Sequence, residues 1–157
     1  MIKVILFDLS KTLLFAKDPN YHGDLNPFHK QLIDQNPNYP FWDYFYLDLD
    51  MLELVKKLKT IYQTAMFTSG SIQNHPSLIQ KLIQLFNPII SAQDIGFSKK
   101  ERQAYQKIAQ ILKTKPSEIL FIDDSLKNIE VAAQAGYATI GFENLEKLKI
   151  ELKKVLK

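Results

Sequence analysis

Six side chains in this 157-residue sequence combine types that do chemistry with positions that bring them together. Asp8 closes the apolar run Val4-Ile5-Leu6-Phe7, Thr68 and Ser69 close "QTAMFT" at 63–68, and Asp123-Asp124 close "EILFI" at 118–122. Lys99 lies in the loop "DIGFSKK" behind a further apolar stretch, "PIISA" at 88–92. Each on its own has an ordinary explanation, since an aspartate after a strand is often a helix cap. The adjacent pair is harder to explain structurally. Two neighbouring carboxylates repel, and the usual remedy is a cation or a lysine.

These residues share a rim only if the segments before them are strands of one sheet. A strand is read at 2–7, and its apolar run Val4-Ile5-Leu6-Phe7, continuous rather than alternating, marks it as buried on both faces. Strands are likewise read at 63–68, 88–92, 118–122 and 137–141. Between them lie helical patterns. One begins near Asp48 or Asp50 as N-cap, with Leu49, Leu52, Val55 and Leu58 at helix spacing. Others cover 77–86, 101–113 and Ser125 to a stop at Gly136, and a last amphipathic one carries Leu145, Leu148, Leu152 and Val155. Strands alternating with helices from residue 48 onward predict an α/β fold, a parallel sheet covered on both faces with right-handed crossovers. Ligands in such sheets sit at the carboxyl ends of the strands, where the six side chains fall.

Residues 17–40 differ in character, with Pro19, Pro27, Pro37 and Pro40 among several asparagines. A short helix is read at 27–35, followed by the aromatic run Phe41, Trp42, Tyr44, Phe45, Tyr46. The length suits one domain, 1–157. A net charge of +3, from 20 basic and 17 acidic residues, gives no strong nucleic-acid signal. The absence of cysteine excludes disulfides, thiolate zinc sites and a cysteine nucleophile. No apolar stretch approaches the ~20 residues of a membrane span, and the N-terminus runs into a strand rather than a signal peptide. The expectation is a cytoplasmic protein, monomer or homodimer, with no membrane partner.

In order along the chain, Asp8-Leu9-Ser10-Lys11-Thr12, Thr68, Lys99 and Asp123-Asp124 resemble the four motifs of the haloacid dehalogenase-like (HAD) hydrolases. The stretch "KTKPSEILFIDDSLKNIEVAAQAGYATI" at 113–140 carries the resemblance most fully. It extends over 1–16 and about 48–157, and omits the middle. It implies a three-layer Rossmann-like fold with the five strands in the order 5-4-1-2-3 and the first one central. It also implies magnesium-dependent hydrolysis of a phosphorylated substrate through a phospho-aspartate. Asp8 would be the nucleophile. Mg2+ would be held by Asp8, Asp124 and the backbone carbonyl of Ser10, with Asp123 behind them. Lys99 would balance the negative charge, and Thr68 with the Ser69 amide would hold phosphate oxygens. Lys99 is chosen over Lys100 because "KKERQAY" then aligns with the lysine-turn-helix of the family. Residues 14–47 are too few for the family's full cap and are read as a rudimentary cap or lid.

One departure is chemical. The family's phosphatases carry a second aspartate two residues after the nucleophile, as proton donor and then base. Here that residue is Ser10. A serine hydroxyl is a poor acid near pH 7, whereas general acid–base help is worth ~10²–10⁴-fold. The resemblance therefore implies retained metal and phosphate binding with weakened turnover, or a catalytically impaired binding protein. Dehalogenases of the family lack the second aspartate too, but work without metal, against which the Asp123-Asp124 pair speaks. A bacterial receiver domain has its acidic pair first in sequence, not last. Lys11 replaces the usual glycine of the flap, making it less mobile. Asn128 is read as a residue tying the loop, and His22, His29 and His75 as scattered and uninvolved.

Overall fold

The computed structural model describes residues 1–156. Its elements run β1 (Val4–Phe7), β2 (Leu14–Ala16), α1 (Leu25–Gln35), α2 (Phe41–Tyr44), β3 (Phe45–Leu47), α3 (Leu49–Lys59), β4 (Gln63–Thr68) and α4 (Pro76–Leu82). They continue with β5 (Ile89–Ser91), α5 (Ala92–Ile95), α6 (Arg102–Leu112), β6 (Ile119–Asp123), α7 (Leu126–Gln134), β7 (Ala138–Gly141) and α8 (Leu145–Val155).

β1 pairs in parallel with β4 on one side and β6 on the other. It has no polar edge, which is why its four residues are all apolar and at most 1% exposed. β5 and β7 complete the sheet in parallel. Alternate side chains feed two cores. Ile5, Phe7, Met66, Leu120 and Ile122 pack on one face with Val55, Leu148 and Leu152. Val4, Leu6, Ala65, Phe67 and Phe121 pack on the other with Tyr105, Ile108 and Ala132. The result is a three-layer α/β arrangement.

The five predicted strands keep the neighbours that the order 5-4-1-2-3 gave them, but their numbering needs correction. The sheet reads β5-β4-β1-β6-β7, because two further strands, β2 and β3, precede the second strand of the sheet and form a separate antiparallel pair. Their three-residue length and mixed burial gave no periodic signal. Between them α1 and α2 complete the 14–47 segment. Of its aromatic run, Phe41 and Phe45 are core residues, while Tyr44 and Tyr46 are exposed on the surface.

Helix boundaries follow their caps. The Asp48 carboxylate accepts from the Met51 N–H at 3.0 Å and starts α3. Ser125 starts α7, which ends before Gly136 at φ 94°, a left-handed value suited to glycine. α4 stops at Leu82, short of the predicted 86. α6 ends at Leu112 and is capped by Lys113, which adopts φ 51° without being glycine. Lys113→Gly is expected to raise stability by about 0.5–1 kcal/mol, measurable by urea unfolding. Among the described residues, no helix is long and apolar enough to cross a membrane.

Candidate active site

Asp8 leaves the central strand at its carboxyl end, and its N–H donates to the Ile122 carbonyl at 2.8 Å, continuing the β1–β6 ladder. The carboxyl is thereby fixed beside the end of β6, which carries Asp123. Lys99 enters from the loop before α6 and is 4% exposed. Its ammonium donates to Asp8 Oδ1 and to Asp123 Oδ2, the latter at 3.0 Å. It also sits over the rings of Phe67 and Phe121, 5.2 and 5.6 Å from their centroids. Lys100, one residue on, is exposed and has no carboxylate partner among the described residues.

Oxygens of Asp8, Asp123 and Asp124 lie within 4.8 Å of one another. Asp123 is the most committed of the three. Its Oδ1 accepts from the Ser125 N–H at 2.8 Å, and its Oδ2 from Lys99 and from Asn128 Nδ2 at 3.1 Å. Asp124 stands exposed at the rim. The shared charge shows in the ionisation of the cluster. Burial, with Asp123 and Asp124 adding to it against the pull of Lys99, raises the Asp8 carboxyl to about 7. Partial burial and Asp123 raise Asp124 to about 6, opposed by Lys11 and Lys99. Burial works to lower the Lys99 ammonium, and Asp8 and Asp123 overcome it, leaving its pKa raised. One buried lysine thus answers three carboxylates, and hard oxygens in this number suit a divalent cation such as Mg2+.

A cavity of about 670 Å³ opens over this cluster, walled by Asp8, Ser10, Ser69, Lys99, Asp124 and Asn128 among others. Thr68 is not one of its walls, yet its hydroxyl is buried without any hydrogen-bond partner. A buried, unsatisfied hydroxyl is costly and rare, and here it lies at the end of β4, beside Ser69. Trp42, Tyr44 and Tyr46 are also absent from the walls.

Four contributors carried no assigned role in the sequence. The Thr12 hydroxyl donates to Asp8 Oδ2 at 3.3 Å. Tyr105, 0% exposed, donates to the Lys99 carbonyl at 2.8 Å and so holds the lysine loop on α6. Lys11 lines the cavity with φ 62°. Asn26, from α1, accepts the Ser71 and Ile72 N–H groups at 3.0 and 3.1 Å, bolting the 14–47 segment to the loop after β4. Thr12, inside the first motif, and Lys11, in place of the flap glycine, had a sequence signal. Asn26 pairs with residues 45 and 46 positions away, which no local pattern reveals. The bolt also explains Gly70, where a Cβ would come within 2.4 Å of Asn26 Oδ1. Gly70→Ala should therefore cost about 1–2 kcal/mol through the displaced hydrogen bonds, read by denaturant unfolding. An unchanged midpoint would show that Asn26 moves freely.

Comparison with known proteins agrees with this geometry. Residues 38–136 match the haloacid dehalogenase-like hydrolase family. Bifunctional epoxide hydrolase 2 of Mus musculus is 36% identical over 75 residues, 48% of this chain and 14% of that protein. Enolase-phosphatase E1 of Sorangium cellulosum (strain So ce56) is 33% identical over 81 residues, 48% of this chain and 34% of that protein. The chain therefore spans only a minor part of the length of these curated relatives. Among solved structures, a HAD family enzyme from Bacteroides thetaiotaomicron, in complex with magnesium and inorganic phosphate, superposes with a TM-score of 0.68 at 16% identity, covering 94% of this chain and 99% of that one. A 2-haloacid dehalogenase from Pseudomonas syringae pv. Tomato DC3000 gives 0.63 at 16%, covering 90% and 86%. At such identities the likeness is one of fold.

Proposed function

This chain belongs to the haloacid dehalogenase-like hydrolases, and from that premise we propose that it is a magnesium-dependent phosphatase acting through a phospho-aspartate on Asp8. The observation that carries the reading is the convergence of Asp8, Asp123 and Asp124 oxygens within 4.8 Å around a buried lysine. The phosphatase name of one relative and the magnesium and phosphate bound to one fold neighbour support it.

Asp8, Asp124 and the Ser10 carbonyl would hold Mg2+, while Asp123, already taken by three donors, orients Lys99 and Asn128. When bound, the ion supplies positive charge to phosphoryl oxygens that would otherwise be repelled by the carboxylates. An Asp8 oxygen attacks phosphorus, and the bond from phosphorus to the ester oxygen breaks. The leaving oxygen takes its proton from water, because the Ser10 hydroxyl is too weak an acid near pH 7. Water then attacks phosphorus, releasing inorganic phosphate and the Asp8 carboxylate. Lys99 stabilises the charge throughout, and the orphaned Thr68 hydroxyl and the Ser69 N–H donate to phosphoryl oxygens. Residues 14–47 act as a rudimentary lid on a single domain, tied down through Asn26.

Ser10 also favours a second reading, a HAD-fold binding protein that retains ligand and metal without turnover. An aryl phosphate assayed with Mg2+ and then with excess EDTA separates the two. The phosphatase reading expects slow hydrolysis that EDTA abolishes; a protein inert towards a broad panel of phosphate esters would support the binder.

A further inference from the structure

Lys11 keeps a backbone conformation that lysine rarely adopts. Its φ of 62° is imposed by a tight turn in which the Leu13 and Leu14 N–H groups both donate to the Leu9 carbonyl at 2.9 Å, and the Lys11 N–H to the Leu14 carbonyl at 2.7 Å. The side chain gives the fold little in return. It is 37% exposed, and its Nζ lies 3.4 Å from the His22 carbonyl and 3.6 Å from a carboxylate oxygen of Asp24, itself 87% exposed. An exposed pair at that separation adds little stability. Strain that the fold does not reward points to function.

The place of that charge is informative. Lys11, Asp24 and Lys100 all line the cavity that holds Asp8 and Asp124. Lys99 is spent on Asp8 and Asp123, whereas Lys100 has no carboxylate partner among the described residues and Lys11 only a loose one. Two cations therefore line the cavity beside the group that would hold the phosphoryl, neither of them bound into the Asp8–Lys99–Asp123 cluster. We propose that Lys11 and Lys100 form an anion clamp, and that the substrate is a phosphate ester bearing a second anionic group, such as a carboxylate, next to the ester linkage. The inference rests on the phosphatase reading for the place of the phosphoryl group. It assigns Lys11 and Lys100 to specificity and not to bond making.

Three esters with matched two-carbon groups test it: ethyl phosphate, aminoethyl phosphate and carboxymethyl phosphate. Calorimetric titration into the Asp8→Asn variant with saturating Mg2+ reads binding without turnover. Carboxymethyl phosphate is expected to bind about tenfold more tightly than ethyl phosphate and aminoethyl phosphate more weakly, with the preference shrinking as salt rises. Adding Lys11→Gln or Lys100→Gln should each cut the carboxymethyl-to-ethyl preference severalfold. Lys11→Gly, free of the φ strain, should lose the preference in the same way, which removes misfolding as an explanation. Equal affinities for the three esters, or a preference untouched by the lysine variants, overturns the clamp. A clamp that passes in a wild-type protein that is inert with Mg2+ towards an aryl phosphate and a broad panel of phosphate esters would overturn the phosphatase reading and leave the clamp standing.

Discussion

Asp8→Asn is expected to abolish phosphate-ester hydrolysis, by about 10⁴-fold or more, and to make the metal-free protein more stable above pH 7. The first effect follows from loss of the attacking oxygen; an amide oxygen in the same place cannot carry the phosphoryl group. The second follows from the cost of burying an ionised carboxylate, to which Asp123 and Asp124 add their repulsion. The folded Asp8 carboxyl titrates near 7 rather than at 3.8. Below about pH 4 it is protonated whether the chain is folded or not, and costs nothing. Between about 4 and 7 the unfolded chain ionises first, so the folded state loses relative stability, and the full cost is present above 7. The shift corresponds to roughly 4 kcal/mol. That figure already contains the pull of Lys99; because an amide keeps only one of the two oxygens that accept from Lys99 and Thr12, a smaller net gain of about 1–2 kcal/mol is expected, seen as a rise of several degrees in Tm at pH 8 in EDTA. The gain should vanish towards pH 4, and should shrink when Mg2+ stabilises the wild type. A variant less stable than wild type at pH 8 would mean that the Lys99 pairing outweighs the cost of burial and carboxylate repulsion together. Stability given up at a working site in this manner is a common trade.

Ser10→Asp is expected to act in the opposite direction on rate. The Ser10 side chain is half-buried in the cavity wall, two residues from Asp8, so an aspartate there faces the leaving group. Turnover of alkyl phosphates should rise by about 10²-fold or more, within the range of general acid–base catalysis, or about 3 kcal/mol of barrier. Aryl phosphates, whose leaving groups need little protonation, should gain far less. The comparison to make is kcat/KM for one alkyl and one aryl ester in both proteins. Equal gains, or none, would count against the role assigned to position 10.

Much of this was legible in the sequence because parallel strands buried on both faces are written as unbroken apolar runs. Val4–Phe7 and Ile119–Ile122 read as strands on that ground alone, and the polar residue that ends each run is then at the rim by construction. The lysine loop was legible because it follows a strand and leads into a helix, and the family resemblance chose Lys99 over Lys100; the fold buries Lys99 and leaves Lys100 exposed. The 14–47 segment resisted. Its strands are three residues long, its rings divide between core and surface, and its decisive contact is between Asn26 and N–H groups 45 and 46 residues away. The displaced strand numbering has the same origin, since the pair β2–β3 exists only through its tertiary partner. Lys11 was visible as a replacement for glycine, but its left-handed backbone and its place in the cavity wall come from the turn it closes.

The phospho-aspartate is the step on which the account depends, and it can be caught. Ser10 offers no base for the water that attacks phosphorus, so the phosphoenzyme should accumulate. Wild-type protein incubated with an aryl phosphate and Mg2+, reduced with borohydride and digested, should give a peptide with homoserine in place of Asp8 by mass spectrometry, absent in EDTA. Hydrolysis proceeding with Asp8 unlabelled, or the label on another carboxylate, would contradict it.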